Sequence, residues 1–188
     1  MVGESGLTLE PGMDDAALTQ ALRRASRNAE VLTIDGDLSA SIAGSPDWIA
    51  LLADTGALPV VVADGPVGPR GLALLLLADI AFCGPQSAWT GGDASGFAAL
   101  AQIRLGPVNA RAFGLGQDPL ARLVACGHVA GADDPAQAAR AVVDGLPQGA
   151  ARRLRQGWRA ARDLPGAEAI AYANWHFHSA SQEVSNAR

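Results

Sequence analysis

Apolar and polar residues alternate in blocks along the chain, and the clearest block runs from residue 58 to residue 82. Residues 60–63 are apolar without interruption and begin with successive β-branched side chains, which predicts a buried strand. Residues 64–71 contain three glycines and two prolines, which predicts a turn. Residues 72–78 hold neither a helix breaker nor a polar side chain, so they predict a buried helix, and residues 79–83 predict a second strand.

The flanking sequence continues this alternation of strands and helices. Residues 6–10 and 30–35 predict strands, and residues 15–28 predict a helix capped by Asp14 or Asp15. Further helices are predicted at residues 48–52, 94–105, 107–115, 119–126, 136–143, 149–163 and 166–186. This order predicts an α/β core over residues 1–145 and a helical C-terminal part over residues 146–188 that serves packing or oligomerisation.

The turn at residues 64–71 is also a candidate binding site. The first N–H groups of a helix lack partners within the helix and carry the positive end of its dipole, so they stabilise an oxygen that gains negative charge. Glycine lets a ligand approach such a backbone closely. An ordinary tight connection between a strand and a helix explains the same pattern. The spacing of Gly65, Gly68 and Gly71 differs from the dinucleotide fingerprint, which disfavours a nucleotide site.

Composition excludes several classes of partner and chemistry. A net charge of −5 without a basic run disfavours nucleic acid and anionic membrane surfaces as partners. The chain has no lysine, which excludes Schiff-base and lysine general-base catalysis. Cys83 and Cys126 lack metal-ligand spacing, and we expect them to be reduced, buried thiols of a cytoplasmic protein. We expect neither a signal peptide nor a membrane-spanning segment.

The histidines and the C-terminal arginines favour structural roles. His176 and His178 lie two residues apart and face different directions on a helix, and His128 stands alone, so no metal site is predicted. The five arginines between residues 152 and 162 predict a solvated helix face. Trp175 and Phe177 predict packing or a subunit contact.

Asp93 is the candidate acid or base. It follows Gly91 and Gly92 in a glycine-rich segment, after an aromatic residue. A carboxylate in such a loop near an apolar helix can have a raised pKa and transfer protons. The alternative is an aspartate that caps a turn, as most aspartates in such loops do.

Taken together, residues 58–93 resemble the crotonase superfamily, the enoyl-CoA hydratase/isomerase family. That family reads K-P-V-I-A-A-V-N-G-x-A-x-G-G-G-x-E-L-A-x-x-C-D-I, followed later by A-x-F-G-x-P-E. The matching segments are LPVVVADG at residues 58–65, GLAL at 71–74, ADI at 78–80 and SAWTGGD at 87–93. Upstream, residues 31–33 resemble the family strand V-V-L-T-G, and residues 38–41 resemble a shortened F-S-A-G-A-D loop.

The resemblance implies a spiral of ββα units, shortened at the N-terminus, that assembles as a trimer or hexamer or with a homologous subunit. It implies an acyl thioester of coenzyme A or of an acyl-carrier protein as substrate, with no further cofactor. In the family, the thioester carbonyl lies between two backbone N–H groups. These correspond by position to Ala40 and Arg70, with Gly71 as the neighbouring amide. The substrate-binding positions carried over in the same way are Ser39, Gly68 and Ala73.

The departures from the family pattern concern the catalytic residues. The triple glycine is replaced by Pro69, Arg70 and Gly71, which places the Arg70 side chain where it can crowd or contact the thioester or its phosphates. One hydratase glutamate corresponds to Ala73, which cannot move a proton, and the other corresponds to Asp93. The resemblance therefore implies hydratase, isomerase or decarboxylase chemistry with a single acid, Asp93. The alternative is a non-catalytic accessory subunit that assists a biosynthetic enzyme through protein–protein contacts.

Overall fold

The computed structural model describes residues 3–44, 46–168 and 170–172. Within them, the strands are β1 (Glu4–Leu9), β2 (Val31–Gly36), β3 (Leu58–Ala63), β4 (Pro66–Val67), β5 (Ile80–Cys83), β6 (Ala88–Trp89) and β7 (Ala130–Gly131). Five of these described strands form one parallel sheet in the order β1-β2-β3-β5-β7, and β4 and β6 form a second parallel pair. The predicted strands at residues 6–10, 30–35, 60–63 and 79–83 are confirmed, with shifted ends.

The helices surround this sheet. They are α1 (Asp15–Ala25), α2 (Asp47–Asp54), α3 (Pro69–Leu77), α4 (Ala98–Gly114), α5 (Pro119–Ala125), α6 (Pro135–Asp144) and α7 (Ala150–Asp163), with a 3-10 turn at Ser95–Phe97. Helix α3 begins three residues before the predicted helix, because a proline at its first position fits the helical φ and needs no N–H partner. Helix α4 spans two predicted helices and is kinked at Gly106, where φ is 74°. No helix in the described part of the chain has the length and apolarity to cross a membrane.

The chain repeats a unit of two strands followed by a helix. In the first unit, β3 joins the main sheet, β4 joins the second pair and α3 follows. In the second unit, β5, β6 and α4 take the same places. The two units pair through β4 and β6, where Pro66 lies opposite Ala88 and Val67 lies opposite Trp89. This succession is a ββα spiral, as the family resemblance implies.

Strand β3 is the centre of the fold because all six of its residues are buried. Leu58, Val60 and Val62 belong to an apolar cluster with residues of α6 and α7. Val61 and Ala63 point to the other face and belong to the larger cluster that contains α1, α2 and α3. A parallel strand covered by helices on both faces reads as a continuous apolar run, which explains the sequence of this segment.

The C-terminal arginines do not all lie on a solvated face. Arg155 is only 1% exposed, so the prediction of a solvated face is wrong for this residue. Its burial follows from its position one helical turn after Ala151, which packs against the sheet. His176, His178, Trp175 and Phe177 lie outside the described residues. The division of the chain at residue 145 stays a prediction.

Candidate functional site

Two backbone segments meet at the carboxyl edge of the main sheet. Strands β2 and β3 are neighbours and run parallel, so the segment that follows each of them leaves the same edge. Residues 37–44 follow β2, and residues 64–71 lead from β3 through β4 into α3. The Gly68 amide donates to the Leu38 carbonyl at 2.8 Å, and the Arg70 amide donates to the Ala40 carbonyl at 3.0 Å. These two hydrogen bonds hold the segments side by side.

The glycines at the start of α3 permit this contact. A Cβ atom on Gly68 would overlap the carbonyl of Ser39, and one on Gly71 would lie 2.5 Å from the carbonyl oxygen of Leu38. Gly65, in contrast, has no atom within 4 Å of the position of a Cβ. Gly68 and Gly71 are therefore required by the close approach of the protein's own backbone, which is a different reason from the ligand approach considered from the sequence.

The arrangement of Ala40 and Arg70 bears directly on the predicted oxyanion hole. The structure brings the two residues together, but the carbonyl of Ala40 faces the amide of Arg70. The Arg70 N–H is therefore occupied by a protein acceptor in this conformation, and a ligand oxygen can reach it only if the Ala40 carbonyl turns away. The oxyanion hole formed by Ala40 and Arg70, with Gly71 in the first turn of α3, stays a prediction.

The side chain of Arg70 points into the protein. It is buried, donates to the carbonyl of Met13 and pairs with Asp15 at 3.2 Å. The expected contact of this side chain with the thioester or its phosphates is therefore wrong, since burial against α1 gives the guanidinium a carboxylate and a carbonyl inside the fold. Its Nε is buried and has no hydrogen-bond partner among the described residues.

Asp15 fixes the segment that follows β2. Its Oδ2 accepts from the Ala43 amide at 2.9 Å, and its Oδ1 accepts from the Trp48 indole N–H at 2.9 Å. With Arg70, this carboxylate joins the segment after β2, helix α2 and helix α3. Sequence reasoning considered Asp15 only as a helix cap, and the cap is Asp14, which accepts from the Ala17 amide. The partners of Asp15 are distant in sequence, so no local pattern indicates them.

Ser39 and Ala73, two of the predicted substrate-binding residues, have different surroundings. Ser39 is exposed, and its hydroxyl and amide both donate to Asp37, at 2.6 and 2.9 Å. Those two bonds, the hydroxyl first, lower the pKa of Asp37, and the charge of Arg70 adds to the effect. Ala73 is wholly buried in the apolar core. The position that carries a glutamate in the family therefore faces the interior here.

Asp93 lies on an exposed turn after β6. The hydroxyl of Ser95 and, at 2.9 Å, its amide donate to the carboxylate, so Asp93 caps the turn that begins the 3-10 segment. These bonds, the hydroxyl first, lower the pKa of Asp93 below its usual value. The raised pKa considered from the sequence is wrong, and the alternative of a turn cap is confirmed. A role for Asp93 in proton transfer stays a prediction.

The remaining titratable residues considered from the sequence, His128, Cys83 and Cys126, are buried or half-buried in the fold. The ring Nε2 of His128 lies 3.0 Å from the carbonyl oxygen of Leu75, and burial lowers its pKa, which confirms a packing role. Cys83 is buried, which raises the pKa of its thiol, whereas Cys126 is only half-buried; both are free thiols. Among the described residues, no group of three His, Cys, Asp or Glu side chains is placed to hold a metal ion.

Comparison with known proteins identifies the fold. No family model and no curated protein sequence matches the chain. Solved structures do match. An enoyl-CoA hydratase/isomerase family protein from Silicibacter pomeroyi aligns with a TM-score of 0.72 and 21% identity, over 97% of this chain and 96% of the other. An enoyl-CoA hydratase from Shewanella pealeana aligns with a TM-score of 0.74 and 15% identity, over 98% and 89%.

A third match, an enoyl-CoA hydratase from Mycobacterium smegmatis, has a TM-score of 0.73 and 14% identity over 94% of this chain and 86% of the other. The protein is therefore an α/β protein of the ββα-spiral class. Its fold is that of the crotonase superfamily, which confirms the resemblance stated from the sequence at the level of the fold. At these identities the likeness defines the fold, and the activity has to be argued from the site.

Proposed function

We propose that this crotonase-fold protein binds an acyl thioester, of coenzyme A or of an acyl-carrier protein, where residues 37–44 meet residues 68–71. The observation that carries the proposal is the pairing of these two backbone segments at the start of α3, with Ala40 beside Arg70. The start of a helix at the carboxyl edge of a parallel sheet is a favourable place for an oxygen that gains negative charge.

In this proposal, the thioester carbonyl oxygen replaces the Ala40 carbonyl as the acceptor of the Arg70 amide. Turning the Ala40 peptide breaks one backbone hydrogen bond, which costs about 1 kcal/mol. Two backbone donors aimed at a developing enolate oxygen stabilise it by several kcal/mol, so the exchange is favourable once charge develops. Binding and enolate stabilisation are therefore coupled to a local change in the segment after β2.

The chemistry that makes the least demand on Asp93 is decarboxylation. Loss of carbon dioxide from a β-carboxyl thioester leaves the electron pair of the broken C–C bond on the enolate, so no base has to remove a proton. Hydration and isomerisation both need a group that transfers protons, and Asp93 is exposed with a lowered pKa. We include all three reactions in the proposal, with Asp93 as the single acid or base.

The second candidate function is a non-catalytic accessory subunit that assists a biosynthetic enzyme through protein contacts. Three observations favour it: the Arg70 amide is occupied, Ala73 stands where the family has a glutamate, and Asp93 has the contacts of a turn cap. In this proposal, the chain assembles with itself as a trimer or hexamer, or with a homologous subunit. Light scattering on the purified chain, alone and with a candidate partner, distinguishes these assemblies.

Amide chemical shifts provide the test of thioester binding. We expect titration of the ¹⁵N-labelled protein with acetyl-CoA to shift the Ala40, Arg70 and Gly71 amides most. The Arg70 amide exchanges the Ala40 carbonyl for a ligand oxygen, and the other two amides lie beside it. The Gly131 amide, at the far edge of the sheet, serves as the internal control. Absence of shifts both at millimolar acetyl-CoA and with acetylated acyl-carrier protein would overturn the thioester proposal and favour the accessory function.

A pair of variants distinguishes a catalytic role of Asp93 from its structural role as a turn cap. If Asp93 transfers a proton, Asp93→Asn abolishes turnover of a short enoyl-CoA, whereas Ser95→Ala, which removes only the cap donor hydroxyl, retains turnover. Equal activity in the two variants and the wild type would remove Asp93 from the mechanism. Thermal melts of both variants check that the fold is intact.

The lowered pKa of Asp93 also fixes a pH dependence. A reaction that needs its carboxylate keeps its rate from neutral pH down to below the ordinary aspartate value of about 4, and falls only in more acidic solution. In Ser95→Ala the pKa rises toward the ordinary value, so the fall in rate moves to higher pH. A pH profile of kcat/KM for the two proteins measures this shift, and identical profiles would contradict it.

A further inference from the structure

An arginine-lined cavity lies at the amino edge of the main sheet, opposite the proposed thioester site. Its volume is about 570 Å³. It lies between the segment before β2, Gly56 before β3 and one face of α7. The charged and amide side chains of its wall are Arg27, Asn28, Arg152, Arg155, Gln156 and Arg159. None of the residues that line it within the described part of the chain is acidic.

Two of these arginines are held rigidly by the fold. Arg155 donates to both carboxylate oxygens of Asp79, at 2.8 and 2.7 Å, and to carbonyl groups at the end of α2. Arg159 donates to the carbonyl of Asp54 at 3.0 Å and lies 3.6 Å from its carboxylate. These two side chains line the cavity but already have protein partners, so they are not available for a strong new ion pair.

The other two arginines have no such partner. The side chains of Arg27 and Arg152 are exposed, and neither pairs with a carboxylate or a carbonyl among the described residues. Arg152 lies on the same face of α7 as Arg155 and Arg159, at spacings of three and seven residues. The charges of Arg155 and Arg159 are balanced by Asp79 and Asp54, so the positive charge left at the cavity is that of Arg27 and Arg152, in a chain whose 14 arginines are outnumbered by 19 acidic residues.

We propose that this cavity binds the phosphate group of a small molecule, held by Arg27 and Arg152. Guanidinium groups donate two parallel hydrogen bonds to phosphate oxygens, and the side-chain amides of Asn28 and Gln156 supply neutral donors beside them. The volume admits a diphosphate with an organic substituent. Phosphate is favoured over an acidic protein segment because the charge lies in a concave site and not along an extended surface.

The site is separate from the proposed thioester site. The segment before β2 and the segment after it lie at opposite ends of a six-residue strand, which is on the order of 20 Å long with its flanking residues. A ligand at the arginine cavity therefore does not contact Ala40 or Arg70. The proposal does not depend on thioester binding and survives if that function fails.

Calorimetric titration with inorganic pyrophosphate tests the site. We expect Arg27→Gln and Arg152→Gln each to weaken binding by about tenfold, since each removes a charge-assisted contact. Arg140→Gln is the matched control, because Arg140 is an exposed arginine on α6 outside the cavity. Arg27 and Arg152 are exposed, so we expect both variants to keep the wild-type melting temperature, which shows that the fold is retained.

Amide shifts locate the bound anion. Pyrophosphate is expected to shift the side-chain amides of Asn28 and Gln156 and to leave the amides of Ala40 and Arg70 unchanged. Failure of the wild type to bind, or equal weakening by Arg140→Gln, would overturn the proposal. Binding of a poly-glutamate peptide that depends on Arg152 while pyrophosphate does not bind would also overturn it, in favour of an acidic protein partner.

Discussion

At the scale of single residues, Asp15 and Arg70 form the contact on which the candidate site depends. The pair lies at 3.2 Å and both side chains are largely shielded from water. Asp15 also holds Ala43 and Trp48, so one carboxylate positions the segment that carries Ala40. Arg70 thus acts on the site through its side chain inside the fold as well as through its own amide. The arginine that departs from the family pattern is a structural residue.

Replacing Arg70 tests this role. Arg70→Gln leaves Asp15 buried without its ionic partner, so we expect the free energy of unfolding to fall by about 3 kcal/mol. Urea denaturation followed by circular dichroism measures the loss. The control is Arg23→Gln, since Arg23 pairs with Asp47 on the surface at 4.0 Å and should cost less than about 1 kcal/mol. Similar losses in the two variants would show that the buried pair contributes no more to stability than the surface pair.

The sequence does not reveal these pairings, for a physical reason. The partners of Arg70 and Asp15 lie tens of residues apart, and only the folded sheet brings α1, α2 and α3 together. Charge along a helix indicates solvent exposure by default, which is why Arg155 was expected on a solvated face, and Arg70 was expected to contact the thioester because its position in the family pattern lies at the binding loop. Asp93 is the opposite case, because its cap is local and the turn alternative follows directly from Asp93 and Ser95.

At the scale of elements, the start of α3 depends on two glycines, Gly68 and Gly71, whose neighbours differ from those of Gly65. Gly68 and Gly71 pack against the backbone of residues 38 and 39, whereas Gly65 faces open space. A side chain at the first two positions has to push the segment after β2 away from α3. That displacement breaks the bonds from Gly68 to Leu38 and from Arg70 to Ala40.

The pair Gly68→Ala and Gly65→Ala measures the effect. We expect Gly68→Ala to lower the free energy of unfolding by about 2–3 kcal/mol, as overpacking against backbone does. Gly65→Ala has the same chemistry without the clash and should change stability by no more than about 0.5 kcal/mol. Chemical denaturation of both proteins gives the comparison. Equal stabilities would mean that the two segments do not pack as closely as their hydrogen bonds of 2.8 and 3.0 Å imply.

Most elements were predictable because their signals are local. Three such signals are the apolar run of β3, the breaker-free residues 72–77 of α3, and the start of α6, where Asp134 caps and Pro135 follows. The break between two predicted helices at residue 106 also has a local cause, since Gly106 takes a positive φ before a proline. The orientation of the Ala40 peptide is not local, because it depends on which carbonyl meets the Arg70 amide.

At the scale of the whole molecule, the two proposed sites lie at the two edges of one sheet. The carboxyl edge carries the paired backbone segments near Ala40, and the amino edge carries the arginine cavity. Helix α7 closes the amino edge and packs Ala151 against the sheet. Its Arg155 reaches Asp79, between α3 and β5, and the last carbonyls of α2. This side chain therefore connects the C-terminal helix to both ends of the first ββα unit.

We therefore expect the loss of the Arg155 side chain to destabilise the whole fold. Arg155→Gln leaves Asp79 with Arg104 as its remaining cation, at 3.0 Å, and leaves carbonyls of Leu52 and Ala53 without their buried donor. We expect the free energy of unfolding to fall by about 3–5 kcal/mol, as for other broken buried ion pairs. Arg162→Gln is the control, because the ion pair of Arg162 is with the adjacent, exposed Asp163 and its loss should cost less than about 1 kcal/mol.

The shape of the unfolding transition decides how α7 relates to the rest of the chain. Because α7 shares an apolar cluster with β3 and α6, we expect Arg155→Gln to unfold in one cooperative step at lower urea concentration, with tryptophan fluorescence and circular dichroism coincident. A variant that loses α7 first would show two separate transitions. That result would mean that the C-terminal part is held mainly by Arg155 and is a unit distinct from the α/β core, as the predicted division at residue 145 requires.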